Sequence, residues 1–219
     1  SSPPTRPVDM AKLPTRQRVL ILLREPRCAR EIRERLPGTH RKQIETVLQR
    51  LAQDRLIQCV TPGIRQSRLY RRTYLGDLLV HELTGEPPMK WTVAAHNELE
   101  TRAYIQAGRY RRLVLRVMGH EQDQRTAREL RKSILPMHAR IGMGHTHQAL
   151  RELKHKGVVQ RDEHGRWTLT GLGKKLQAIE LDGLPERPAI GRPLWERIKP
   201  AKNDDQQQDP ESDKQESDE

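Results

Sequence analysis

The stretch RKQIETVLQRLAQDRLIQ, residues 41–58, places Ile44, Val47, Leu48 and Leu51 at a spacing of three and four. That period lays one apolar stripe along a helix and puts Lys42, Thr46 and Gln49 on the opposite side. The pattern predicts a helix to about Asp54, then an apolar strand, LIQCV (56–60). Upstream, CAREIRERL (28–36) reads as a short helix closed by Pro37-Gly38, and Thr39 suits the cap of the helix that follows. A helix over 14–24 precedes it, with Pro14 in a first turn that needs no donor there and Val19, Leu20, Leu22 and Leu23 as its apolar residues. Glu25-Pro26 ends that helix. Downstream, TPGIRQS turns the chain and RLYRRTYL (68–75) returns as a second strand. The order is three helices, a strand, a turn and a strand.

The second half repeats the order. RYRRLVLRVMGHE (109–121) predicts one helix, and TARELRKSI (126–134) a second, with Thr126 and Glu129 spaced as a capping box. HTHQALRELKHK (145–156) predicts a third, with Gly157 where a helix ends. VVQR (158–161), the turn DEHG and RWTLT (166–170) complete a hairpin. Leu48 matches Leu150, Leu51 matches Leu153, and Leu56-Ile57 match Val158-Val159. An internal duplication of about 60–70 residues makes two domains of the chain. The expected organisation is a loose N-terminus over 1–13, a first domain over 14–83, a linker and connector helix over 84–108, a second domain over 109–181, and a Pro-rich then acidic disordered tail over 182–219. The connector helix falls in 91–107 and a last helix in 172–180, packed on the second domain.

The composition bears on partners. The chain of 219 residues carries a formal net charge of +12, with 34% hydrophobic residues and no Phe, which suits two small aliphatic cores better than one large one. From Lys202 onward, eight acidic residues face Lys202 and Lys214, a charge of −6, so the remainder carries +18. Such an excess suits a polyanion. Cys28 and Cys59 suggest neither a disulfide framework nor a zinc site, no apolar run is long enough to cross a membrane, and SSPPTRPVDM lacks a signal-peptide core. A reducing cytoplasm, in association with the nucleoid, is the expected location.

Both halves resemble the winged helix-turn-helix superfamily. The likeness lies in residues 15–75 and 109–170, in the element order and in the helix-to-strand passages AQDRLIQCV and KHKGVVQRD. The resemblance implies a mainly α fold with small β-hairpin wings, of the α+β class: two winged helix-turn-helix domains joined by a helical linker. It implies duplex DNA as the partner, with the third helix of each unit in the major groove and the wing on flanking phosphate. Carried onto this sequence, the first helix face offers Arg41, Lys42, Gln43, Thr46 and Gln49, residue types that suit base edges. The first wing offers Arg65, Arg68, Arg71 and Arg72, placed to neutralise phosphate, with Tyr70 and Tyr74 packed on its inner face. The second unit offers His145, Gln148, Arg151 and His155 on its helix and Arg166 on its wing. Asp162 and Glu163 on that wing would repel phosphate, so the first unit is expected to hold DNA more strongly.

Transcription regulation is the expected role. Two other readings stay open: a protein-docking subunit of a chromosome-segregation or transcription complex, and a plasmid or viral replication initiator. Assembly as a homodimer or within a protein complex is open too. No enzyme is expected, since GxSxG, HExxH and GxxxxGK[ST] are all missing from the sequence. No cofactor, metal or small-molecule substrate is expected: His145 and His147 diverge on a helix, and they converge with His138 only if that segment is a loop.

Overall fold

The computed structural model describes residues 9–89, 96–119 and 124–185. Residues Ser1–Pro185 form one unit and Glu186–Glu219 another, so everything described lies in the first. After a 3-10 turn at Met10–Lys12, α1 (Thr15–Leu22) starts behind Pro14, whose carbonyl accepts from the amides of Gln17 and Arg18. α2 (Ala29–Arg35) starts where the Cys28 amide donates to Glu31 Oε2 at 2.8 Å. α3 (Arg41–Gln53) buries Ile44, Leu48 and Leu51, as its period requires, against Val19, Leu20, Leu23 and Ile32. Its cap is His40 rather than Thr39. The Thr39 hydroxyl instead donates backward to the Leu36 carbonyl at 2.6 Å, closing the turn after α2.

β1 (Ile57–Cys59) and β2 (Tyr70–Arg72) pair antiparallel, with Gln58 opposite Arg71. Arg27 adds a third strand position, exchanging backbone bonds with Tyr70 at 3.0 and 2.9 Å. The returning strand stops three residues short of the expected Leu75. Thr73 accepts from the Gly76 amide at 3.2 Å and caps a further helix, α4 (Tyr74–Thr84), in the stretch expected to be wing end and linker. Tyr74, expected on the wing's inner face, is the first residue of α4 and is exposed.

After α5 (His96–Ala107), the second half repeats every element: α6 (Arg109–Val117), α7 (Ala127–Ile134), α8 (Met143–His155), β3 (Val159–Arg161), β4 (Trp167–Leu169) and α9 (Gly171–Leu181). The expected capping box forms: the Thr126 amide donates to Glu129 Oε2 at 2.7 Å and the Glu129 amide to Thr126 Oγ1 at 3.3 Å. Arg125 pairs with Trp167 as Arg27 pairs with Tyr70. Thr170 repeats Thr73, donating its hydroxyl to the Gly157 carbonyl and accepting from Gly173; Thr73 donates to the Arg55 carbonyl, and both donations measure 2.6 Å. Glycine is needed at the fourth position of this turn, because a Cβ would stand 2.2 Å from the Leu56 carbonyl oxygen at Gly76 and 2.0 Å from that of Val158 at Gly173. Gly157, at φ +68°, ends α8 as expected. Among the described residues no helix is long and apolar enough to cross a membrane.

Each half has its own aliphatic core, around Ile44 and Leu51 in the first and around Leu150, Leu153 and Trp167 in the second. The joint between the halves is of a different kind. Arg112 Nη1 donates to Glu34 at 2.9 Å, Arg116 bonds both Glu34 and Glu180, Arg35 donates to the Glu180 and Asp182 carbonyls at 2.7 Å, and Arg27 pairs with Asp182 at 2.8 Å. Buried ions are costly to desolvate and are held only when matched in this way. Burial works to raise the Glu34 carboxyl, but Arg116 and Arg112 outweigh it and hold it below its ordinary range. Glu180 is pushed up, by burial first and also by nearby Glu31. α5 braces the first hairpin as well: Leu69 and Cys28 bury against Ala103, with Val60, Ile64 and Leu99 around them. A two-stranded hairpin is marginal alone; this one is clamped along one side.

Candidate nucleic-acid interface

The helical period that buries Ile44 and Leu48 turns Lys42, Thr46 and Gln49 outward, and all three are exposed. Between this face, α2 and the hairpin loop runs a groove of about 920 Å³. Arg30 and Arg33 enter it from α2, Arg41 from the start of α3, and Arg65 and Arg68 from the hairpin loop. Its floor includes Cys28, Leu48 and Tyr70, and Gln49 stands on its rim. Among the described residues Glu45 is the one carboxylate lining it, and Arg41 holds that group at 2.7 Å. Beyond the Arg41–Glu45 pair, four guanidinium groups line the groove.

The individual residues are held in distinct ways. Arg68, which lines the groove, is tied to its own loop by donation from Nε to the Ile64 carbonyl at 2.9 Å. Arg30 Nη1 donates to the Gln106 carbonyl at 3.1 Å. Arg30 is lowered from the ordinary guanidinium range by burial first and by the neighbouring charge of Arg112 second, so an entering anion would relieve a crowded cation. Arg65 and Lys42 are exposed. Gln43 lies toward α1, with Nε2 donating to Thr15 Oγ1 at 3.4 Å, and the Thr46 hydroxyl donates to its own helix at the Lys42 carbonyl, 2.9 Å away. Arg71 is half-buried opposite Gln58.

Arg72 is a correction. It is 1% exposed, and its Nε lies 2.9 Å from Asp77, which is 2% exposed; Glu86 is 3.5 Å away. Strand alternation explains the error. Arg71 and Arg72 point to opposite faces, so an Arg-Arg pair on a hairpin cannot place both charges in solvent on one side. Arg72 belongs to the packing of α4 on β2.

In the second half, His145, Gln148, Arg151, His155 and Arg166 are all exposed. His145 stacks on Tyr110 with ring centroids 4.4 Å apart, on the α6 side of α8. Gln148 donates to Glu152 at 3.0 Å, and Glu152 pairs with Arg111. Arg151 and His155 share the outward face with His147, Lys154 and Lys156, which the sequence reading left out. Asp162 Oδ1 accepts from the Arg166 amide at 2.7 Å and so serves the turn, while Glu163 stays exposed. His138, His145 and His147 do not converge, and among the described residues no group of three or more His, Cys, Asp or Glu could hold a metal ion.

Arg30 and Arg33 were also missed. The signal was present: in AREIRER they stand three apart on the face opposite Ile32, so one turn of helix aims both away from the core. Comparison of the chain with protein-family models, with curated proteins and with solved structures finds no match.

Proposed function

We propose that this chain binds duplex DNA through the first half and acts in transcription regulation. The observation that carries the proposal is the groove in which Arg30, Arg33, Arg41, Arg65 and Arg68 face a single, already paired carboxylate beside the outward side of α3. A sugar–phosphate strand is an extended polyanion, and a groove of this charge suits it, with α3 on one bank and the hairpin on the other. Lys42, Thr46 and Gln49 then stand next to that strand as the groups able to read base edges. The repeated order of three helices, hairpin and closing helix, with Arg27 and Arg125 each adding a strand position, supports the winged helix-turn-helix reading of both halves. The second half, with Arg151, His155, Lys154 and Lys156 outward and Glu163 on its hairpin, is the weaker binder.

The test is duplex binding by fluorescence anisotropy over a salt series. Removing one phosphate-neutralising cation lowers the slope of log affinity against log salt by about 0.9, so Arg65→Ala with Arg68→Ala flattens it by about 1.8. From 50 to 200 mM salt that difference amounts to roughly tenfold in affinity. Gln49→Ala leaves the slope alone and changes the preference recovered from random duplexes. Equal affinity at low and high salt would overturn the proposal.

A further inference from the structure

α4 carries an apolar stripe that no described residue covers. Gly76, Asp77 and Val80 are buried on its inner side, while Tyr74, Leu75, Leu78 and Leu79 remain 70, 51, 36 and 39% exposed. Residues 74, 78 and 82 and residues 75 and 79 are each a turn apart, so the four apolar side chains form one strip. None of them lines the arginine groove.

The internal repeat shows what this face does when it has a neighbour. α9 stands where α4 stands, and Leu172 and Leu176 replace Leu75 and Leu79 after the shared Thr-x-Leu-Gly turn. Leu176 is buried in the cluster that contains Ile105 of α5, and Lys175, in the place of Leu78, pairs with Glu98 of α5 at 2.8 Å. α5 can do this because it directly precedes α6. In the first half the described residues directly before α1 form only the 3-10 turn Met10–Lys12, with no buried residue. Among the described residues, the first half thus keeps the apolar face without a covering helix.

Charge selects the occupant. Thr73–Met89 is 17 residues without Lys or Arg, the longest such run in a chain that has 41 of them. Two copies of a cationic body repel over most of their surfaces, whereas at this strip no cation of one copy meets a cation of the other. Asp77 and Glu86 of the run are paired with Arg72. The exposed carboxylate, Glu82, stands at the C-terminal end of the strip, so an antiparallel two-fold pairing keeps its two copies apart. We infer that α4 is a self-association surface, on which a second copy of this chain seats its own α4 about a two-fold axis. Both copies then bury the same leucines, and the arginine grooves stay open. The strip is on the order of a few hundred Å², below the ~800 Å² per partner of a standard interface, so the dimer is concentration-dependent. The inference is independent of the DNA proposal, since its test contains no nucleic acid.

The experiment is sedimentation equilibrium of the full chain over roughly 1–500 µM, a range that resolves association of this weakness. The monomer mass is 25.5 kDa. The expected result is a rise toward twice that mass, abolished by Leu75→Asp with Leu79→Asp while the circular dichroism spectrum and melting midpoint are kept. As a second reading that needs no disruptive change, Leu78→Cys forms a chain-to-chain disulfide under oxidation, whereas Ala178→Cys on α9 does not. A monomer at every concentration overturns the inference, as does a dimer that survives the double substitution. A double variant that melts early while wild type stays monomeric means that the chain's own residues cover the strip, and dimerisation that appears only after deletion of 186–219 means the tail does; each also overturns it.

Discussion

Glu34→Gln tests the joint between the halves most directly. In the native protein Glu34 accepts from Arg112 at 2.9 Å and from Arg116. Arg116 keeps Glu180 after the substitution, but Arg112, which is buried, is left facing a neutral amide. A hydrogen bond to a charged group contributes about 1.5–3 kcal/mol, and glutamine retains one acceptor oxygen of two. Glu34 is also one-quarter exposed, so water takes up part of the loss. The expected cost is about 2 kcal/mol, which for a body of this size lowers the melting midpoint by about 4–8 °C. The pH dependence has a definite sign. Glu34 is held below its ordinary value of 4.5, so its contribution is complete above that value and is lost as pH falls through the folded one. Urea unfolding of wild type and variant should therefore differ fully at pH 7 and converge on acidification. Glu163→Gln, on an exposed hairpin carboxylate, is the control and should change little. A Glu34→Gln protein within about 0.5 kcal/mol of wild type at pH 7, or a gap that persists unchanged far below pH 4.5, would refute the reasoning.

Arg72→Ala should cost about 3–5 kcal/mol, because it takes the guanidinium away from a carboxylate, Asp77, that stays in the interior, and should show as lost folding in denaturant rather than as a selective loss of binding. Gly173→Ala drives a Cβ into the Val158 carbonyl and should cost roughly 1–3 kcal/mol by thermal melting, with Gly76→Ala matching it in the first half. Burial, reinforced by Glu31, pushes the Cys28 thiol up to about 12, so iodoacetamide at about pH 8 should label Cys59 in the native protein and Cys28 only after unfolding.

Much of this arrangement was legible in the sequence, and the omissions share a cause. Ile44, Leu48 and Leu51 fix α3 by period alone, and the Thr126–Glu129 spacing fixes the start of α7. The α4 helix was missed because RLYRRTYL alternates acceptably as a strand, and the turn that ends it depends on a hydroxyl, Thr73, bonding across the hairpin to Arg55. The parallel with TGLG at 170–173 would have exposed it. RCAREIR at 27–33 against RTARELR at 125–131 is a closer internal match than the one between α3 and α8, and it gives both strand positions and both capping boxes. The polar joint lay beyond reach for a physical reason. Arg27, Arg35, Arg102 and Arg112 look like surface cations in any local window, and only the docking of α9 and α5 on α2 makes them interior. Arg72, Arg30 and Arg33 differ, because strand alternation and the three-residue spacing within AREIRER carry their orientation in the sequence itself.

The bracing of the first hairpin by Leu69, Ala103 and Leu99 makes it a stiff prong rather than a whip. A stiff prong loses little freedom when it meets a surface, so more of its contact energy is kept. It also cannot bend to suit an ill-fitting partner. If the proposed duplex binding holds, shape as well as charge sorts what this half of the molecule accepts, and loosening α5 should broaden its tolerance while it weakens its grip.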